Sequence, residues 1–175
     1  MIIDIPDTSL VLLIGTSGSG KSTFAQRHFR PTQVLSSDHY RGVVSDDEND
    51  QAATTDAFAI LEFIAERRLA GGRLTVVDAT NLYARDRAGL LAIARSHDAP
   101  TAAIVFDVPE SIIQERNQLR SDRKLALHVL HAQRLALDIA LTEIGKEGYQ
   151  GVWIVDLKSV GMVVVESGAA AATGH

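Results

Sequence analysis

The chain has 175 residues, 46% hydrophobic and 22% charged, which suits one globular domain with a buried core and excludes a disordered polymer. It has no cysteine, which excludes disulfides and thiolate metal sites and fits a reducing, cytoplasmic setting; no apolar stretch reaches membrane-spanning length, so no membrane partner is expected. A formal net charge of −5 argues against coating long duplexes, so any nucleic-acid contact is expected at an end, with a shallow salt dependence.

Apolar runs alternate with helical patterns, the signature of βαβ units and a parallel sheet. Leu10 to Ile14 predicts a buried first strand, and Thr23 to Phe29 a helix after the intervening loop. Gln33 to Ser36 predicts a short second strand. The acidic run Asp46 to Asp50 reads as the solvated start of a helix. Asp56 to Ala70 predicts a helix with Phe58, Leu61, Ile64, Ala65 and Leu69 on one face, ended by Gly71-Gly72. Leu74 to Asp78 is a third strand, Arg87 to Arg95 a short helix, and Ala102 to Phe106 a fourth strand. Pro109 to Arg120 predicts a helix with proline near its first turn. Leu125 to Gly145 predicts a longer one, with Leu130, Gln133, Leu137, Leu141 and Ile144 at three- and four-residue steps. Val152 to Val155 is a fifth strand. Met162 to Val165 is β-prone but isolated, and residues 168–175 read as a linker-like tail.

The chemistry starts between the first strand and its helix. Gly15-Thr16-Ser17-Gly18-Ser19-Gly20-Lys21-Ser22 reads G-x-x-x-x-G-K-S, with Thr23 following, in the strand–loop–helix context a phosphate-binding P-loop needs. Glycines let backbone N–H groups wrap a polyphosphate, and the helix N-terminus adds partial positive charge. Lys21 is expected to reach the outer phosphates of ATP or another NTP, and Ser22 to offer its hydroxyl to Mg²⁺. Asp78, closing Leu-Thr-Val-Val, has the layout of a second Mg²⁺-holding group; the bland alternative is an aspartate capping the next loop. The expected fold class is therefore α/β: a P-loop NTPase-type parallel five-stranded sheet flanked by helices, with a helical lid. One domain would span 1–167, including a lid at about 116–147.

Asp38, beyond the second strand, can serve as general base for transfer of a γ-phosphoryl group to a hydroxyl, or can be a turn aspartate. Arg41 can grip a phosphate on the acceptor, or can be a solvated surface arginine. Arg116, Arg120 and Arg123 stand at i, i+4 and i+7. They share one face if the helix runs through Ser121-Asp122, where they could clamp a transferring phosphoryl group.

Together these segments resemble the 5′-hydroxyl polynucleotide kinase module of bacterial polynucleotide kinase-phosphatases, which are RNA repair enzymes. The resemblance runs from about Ile3 to Val155. It is carried by the P-loop with Thr23-Phe24-Ala25, Pro31-Thr32, Ser36-Ser37-Asp38, Arg41-Gly42, Ser45 to Gln51, Leu74 to Asn81, Pro109-Glu110 and Gln114 to Asn117. It implies that Asp38 is the base for a 5′-OH and that Arg41 holds the phosphate on the 3′ side of the terminal nucleotide. It implies that Arg116, Arg120 and Arg123 are lid arginines near ATP and that Gln51 and Thr80 lie near the acceptor. It also implies a 5′-OH RNA or DNA oligonucleotide end as partner, and fusion to phosphatase and ligase-like domains in a full-length protein. The expected activity is that of a polynucleotide 5′-hydroxyl-kinase. The alternatives are a P-loop kinase for a small-molecule hydroxyl and a nucleotide-dependent switch.

Overall fold

A computed structural model describes residues 1–121 and 124–168. The chain opens with β1 (Ile2–Pro6), where Ile3 and Ile5 are buried and their neighbours face out. Strand β2 (Leu10–Ile14) is apolar throughout and fully buried, as a central strand covered on both faces must be. Helix α1 (Lys21–His28) follows the glycine-rich loop, and a 3-10 turn at Pro31–Gln33 leads into β3 (Val34–Ser36). Helices α2 (Ser37–Ser45) and α3 (Thr54–Ala70) pack on each other before β4 (Thr75–Asp78). Then come α4 (Ala84–Ser96), β5 (Thr101–Phe106), α5 (Glu110–Leu119), α6 (Leu127–Glu143), β6 (Gly151–Val155) and β7 (Val164–Gly168).

Five strands form a wholly parallel sheet in the order β3-β4-β2-β5-β6. Along β2, Leu10, Leu12 and Ile14 join a core with Leu61, Leu90 and Leu137 from the helices on one face. Val11 and Leu13 point the other way, into a core with Phe24, Phe29 and Phe106. That second core also holds Ile3, Ile5 and Val163, because β1 and β7 pair as a separate two-stranded parallel sheet laid against it. Met162 to Val165 is thus not isolated; its partner lies 162 residues away, with Ile2 opposite Val164. Gly168 ends β7, and the rest of the tail lies outside the described residues.

Two local readings are corrected. The acidic run does not start a helix. Asp46 ends α2 in a left-handed conformation at φ 59°, and Asp50 accepts from Ala52 N–H to cap the 3-10 turn Gln51–Ala53 ahead of α3. The arginine stripe does not continue along one helix. α5 stops at Leu119, and Arg120 is extended. Asn117 fixes this break: its Nδ2 donates to Leu125 O at 2.9 Å and its Oδ1 accepts from Leu125 N–H at 2.8 Å. Arg123 lies outside the described residues.

Candidate active site

Beyond the carboxyl end of β2 the strand order switches, because β3 lies at one edge while β5 pairs on the opposite side of β2. Ligands of open α/β sheets bind in such crevices. The glycine-rich loop fills it. Gly18 and Gly20 have φ of +83° and +100°, a region side chains rarely enter, and Gly20 leads directly into α1. Gly15 N–H donates to Thr80 O at 3.0 Å, which ties the loop to the end of β4. Lys21 is buried at the first position of α1. Its Nζ donates to Gly15 O at 2.9 Å, Thr16 O at 2.8 Å and, more weakly, Ser19 Oγ at 3.4 Å. Burial lowers its pKa to about 8. The carboxylates of Asp78 and Asp38 oppose that shift, and Arg120 adds to it.

Two side chains from far along the chain hold the loop from above. Ser17 N–H donates to Gln133 Oε1 of α6 at 2.8 Å, and Arg116 Nη1 of α5 donates to Gly18 O at 3.0 Å. Gln133 stood in the sequence as one step of an apolar helical stripe. The signal of its role was its being the polar member between Leu130 and Leu137, both buried.

Two carboxylates face the loop. Asp78 closes β4, is buried, and is hydrogen-bonded to Ser22. Burial raises its pKa, against the Ser22 hydrogen bond and the Lys21 charge. Asp38 sits in the first turn of α2, where the helix dipole favours an anion, and Ser36 Oγ caps that helix by accepting from His39 N–H at 3.4 Å. Asp38 is half-exposed and pairs with buried Arg41, whose Nε donates to Glu48 O at 2.9 Å.

A cavity of about 670 Å³ is lined by Ser17 to Thr23, Asp38, Arg41, Gln51, Asp78, Thr80, Arg116 and Arg120. Every described candidate thus shares one chamber except Gly15 and Thr16, which lie beneath it and present carbonyls to Lys21. Asn81 supports the wall, and sequence gave it no role: its Nδ2 donates to Leu13 O at 2.8 Å.

Residues 10–140 match a protein family described as an AAA domain. No curated protein sequence matches the chain. Among solved structures, it resembles Kti12 from Chaetomium thermophilum in complex with ADP-AlF3 at a TM-score of 0.64 and 15% identity, over 86% of this chain and 90% of that one. A chain of the Pnkp1/Rnl/Hen1 RNA repair complex gives 0.64 and 21%, over 80% of this chain but only 46% of that one. A gluconokinase from Sinorhizobium meliloti gives 0.55 and 19%, over 91% and 89%. At such identities the likeness is one of fold, shared by proteins whose names point to different acceptors. With the family match spanning well over half of its length, the chain belongs to this AAA domain family, and its fold is that of a P-loop kinase.

Proposed function

We propose that this chain transfers the γ-phosphate of ATP, or another NTP, to the 5′-OH end of an RNA or DNA oligonucleotide. The observation that carries the reading is the Asp38–Arg41 pair on the cavity wall, in the chamber that also holds Lys21. A carboxylate there can accept the proton of an attacking hydroxyl. Arg41 uses Nε on Glu48 and Nη2 on Asp38, which leaves Nη1 to donate to a phosphate one linkage from that hydroxyl. A sugar without a phosphate or other anionic group has no use for such a guanidinium. The RNA repair neighbour agrees with this reading, while the gluconokinase neighbour keeps a small-molecule acceptor as the outcome to be tested against.

The remaining roles follow from placement. The N–H groups of Gly15, Ser17 and Ser19 are bonded within the protein, so those of Gly18, Gly20 and the N-terminus of α1 would cradle the β-phosphate, and Lys21 would turn from the loop carbonyls toward the outer phosphates. Ser22 Oγ and the Asp78 carboxylate, already hydrogen-bonded to each other, form a hard all-oxygen donor pair that fits Mg²⁺ held largely by phosphates and waters. Bound there, Mg²⁺ would neutralise charge on the transferring group. Arg116 and Arg120 would flank that group from the lid side; Gln51 and Thr80 would border the acceptor.

Labelled ATP offered to a 5′-OH oligonucleotide, a 3′-phosphomononucleoside, an unphosphorylated nucleoside and a sugar panel tests the reading. Label is expected on the first two, and Arg41→Ala is expected to abolish the preference for acceptors that carry a phosphate. Label confined to sugars or to unphosphorylated nucleosides would replace this proposal with a small-molecule kinase.

A further inference from the structure

The chain is acidic overall, yet its arginines are unevenly matched with carboxylates. Arg41, Arg67, Arg85, Arg87 and Arg134 each form an ion pair. Among the described residues Arg27, Arg30, Arg68 and Arg73 form none. These four line one concave surface, a cavity of about 710 Å³ whose single acid is Asp7. They come from three segments. Arg27 lies in the last turn of α1 with Arg30 just beyond it, Arg68 is in the last turn of α3, and Arg73 is in the turn before β4. Cations suit helix C-termini, which accounts for Arg27 and Arg68 separately. It does not account for Arg30 and Arg73, which lie past their helices, nor for the convergence of all four.

The local structure fixes this array. Arg68 Nη2 donates to Leu74 O at 2.7 Å and its Nε to Thr75 Oγ1 at 3.3 Å, so its stem is held in the turn while Arg73 N–H donates to Arg68 O at 3.0 Å. Burial, then the neighbouring charge of Arg73, lowers the pKa of Arg68, against the opposing effect of Tyr40.

The position relates the surface to the chamber. Gln33 and Leu74, on its wall, immediately precede β3 and β4, whereas the chamber opens at the carboxyl ends of the same strands. Arg27 and His28 line both cavities, so the two are contiguous along α1. β3 is the sheet edge and three residues long, a rise of about 10 Å, with Gln33 before it and the helix that carries Asp38 directly after it.

We propose that Arg27, Arg30, Arg68 and Arg73 form a phosphodiester-binding track that holds the acceptor strand beyond the nucleotides in the chamber. The inference rests on the polynucleotide reading above for the identity of the strand. It predicts a steeper salt dependence than net charge alone suggests: four arginines on a single strand give a log–log salt slope of roughly −0.7 per contact. Arg30→Glu/Arg73→Glu tests it, since both side chains are exposed. Binding of a long labelled 5′-OH oligonucleotide, of a dinucleotide and of inorganic pyrophosphate is measured across a salt series, with circular dichroism as the check on folding and Arg95→Glu, an exposed arginine outside both cavities, as the charge control.

The expected result is a roughly tenfold or greater loss of the long-over-short preference in the track variant, a shallower salt slope, and neither change in the control. An unchanged preference and slope in the track variant would overturn the track, even if phosphorylation of the oligonucleotide proceeds. Loss of binding to inorganic pyrophosphate alone, with strand binding intact, would overturn it in favour of a small-anion site. Strand binding that is lost in the track variant although the wild type phosphorylates no oligonucleotide would sustain the track and remove the kinase reading instead.

Discussion

Lys21 is the residue at which burial and function pull in opposite directions. Burial brings its pKa to about 8, whereas a bound triphosphate favours the ammonium form. The lysine is charged in the free protein below about pH 8, so ATP affinity is expected to be flat there. Above that value the free protein must take up a proton to bind, so the Kd for ATP is expected to rise by up to about tenfold per pH unit. Equilibrium titration from about pH 7 to about pH 10 measures this; a flat profile, or one that persists in Lys21→Met, would remove the assignment. The folded-state pKa lies below the unfolded value of 10.5, so the unfolded chain holds the extra proton between the two. Stability from this group therefore rises with pH across that window and is constant below it. For Asp38, Asp38→Asn is expected to keep ATP binding and to lower transfer by about 10²-fold or more, read as kcat in the oligonucleotide assay. Turnover that survives the change would leave the pair with Arg41 a purely structural one.

The central βαβ elements were legible because their signals are local. β2 is a continuous apolar run, β4 and β5 carry short apolar runs behind a leading threonine, and α3 carries its periodicity over four turns. The elements that were missed are set by contacts far away or by single side chains. α2 contains Gly42, Val43, Val44 and Ser45, poor helix formers, and it exists through the Ser36 cap, the Arg41–Glu48 bond and packing on α3. β1 alternates buried and exposed residues over only five positions, β7 reads only as an isolated β-prone stretch, and their pairing spans nearly the whole chain. The break after α5 is a third case, because no periodicity reveals that one asparagine will bond both backbone groups of Leu125. The same logic limited the site: the P-loop, both aspartates and Arg116 are named from local patterns, but the bond of Gln133 to the loop spans 116 residues, and the specific bond of Arg116 to Gly18 O spans 98. Asn117 is buried, so Asn117→Ala should leave two backbone groups unpaired and cost about 2 kcal/mol. Chemical denaturation measures the loss. Because Arg116 lies one residue before it, the variant is also expected to weaken ATP binding.

At the scale of the whole molecule, the P-loop is braced by a relay that begins on the far side of the sheet. Arg87, in the first turn of α4, is 1% exposed. Its Nη1 donates to Asn81 O and Leu82 O, both at 2.8 Å, and its Nε and Nη2 pair with Glu147, ahead of β6. Asn81 in turn holds Leu13 O, and Thr80 O holds Gly15 N–H, so one guanidinium joins the β6 approach to the phosphate loop. Removing one partner of such a pair strands a buried charge, which typically costs 3–5 kcal/mol, whereas replacing both with apolar groups is often neutral. Arg87→Met is therefore expected to lose about 3–5 kcal/mol in urea unfolding, and Arg87→Met/Glu147→Leu to regain only part of it, because the Asn81 and Leu82 carbonyls stay unpaired. Stability and function should then separate. The double variant restores packing but not the two bonds to the Asn81–Leu82 carbonyls, so its ATP affinity is expected to stay below that of the wild type. Full recovery of both would mean that the relay supports only the fold, and that the loop after β4 holds its shape unaided.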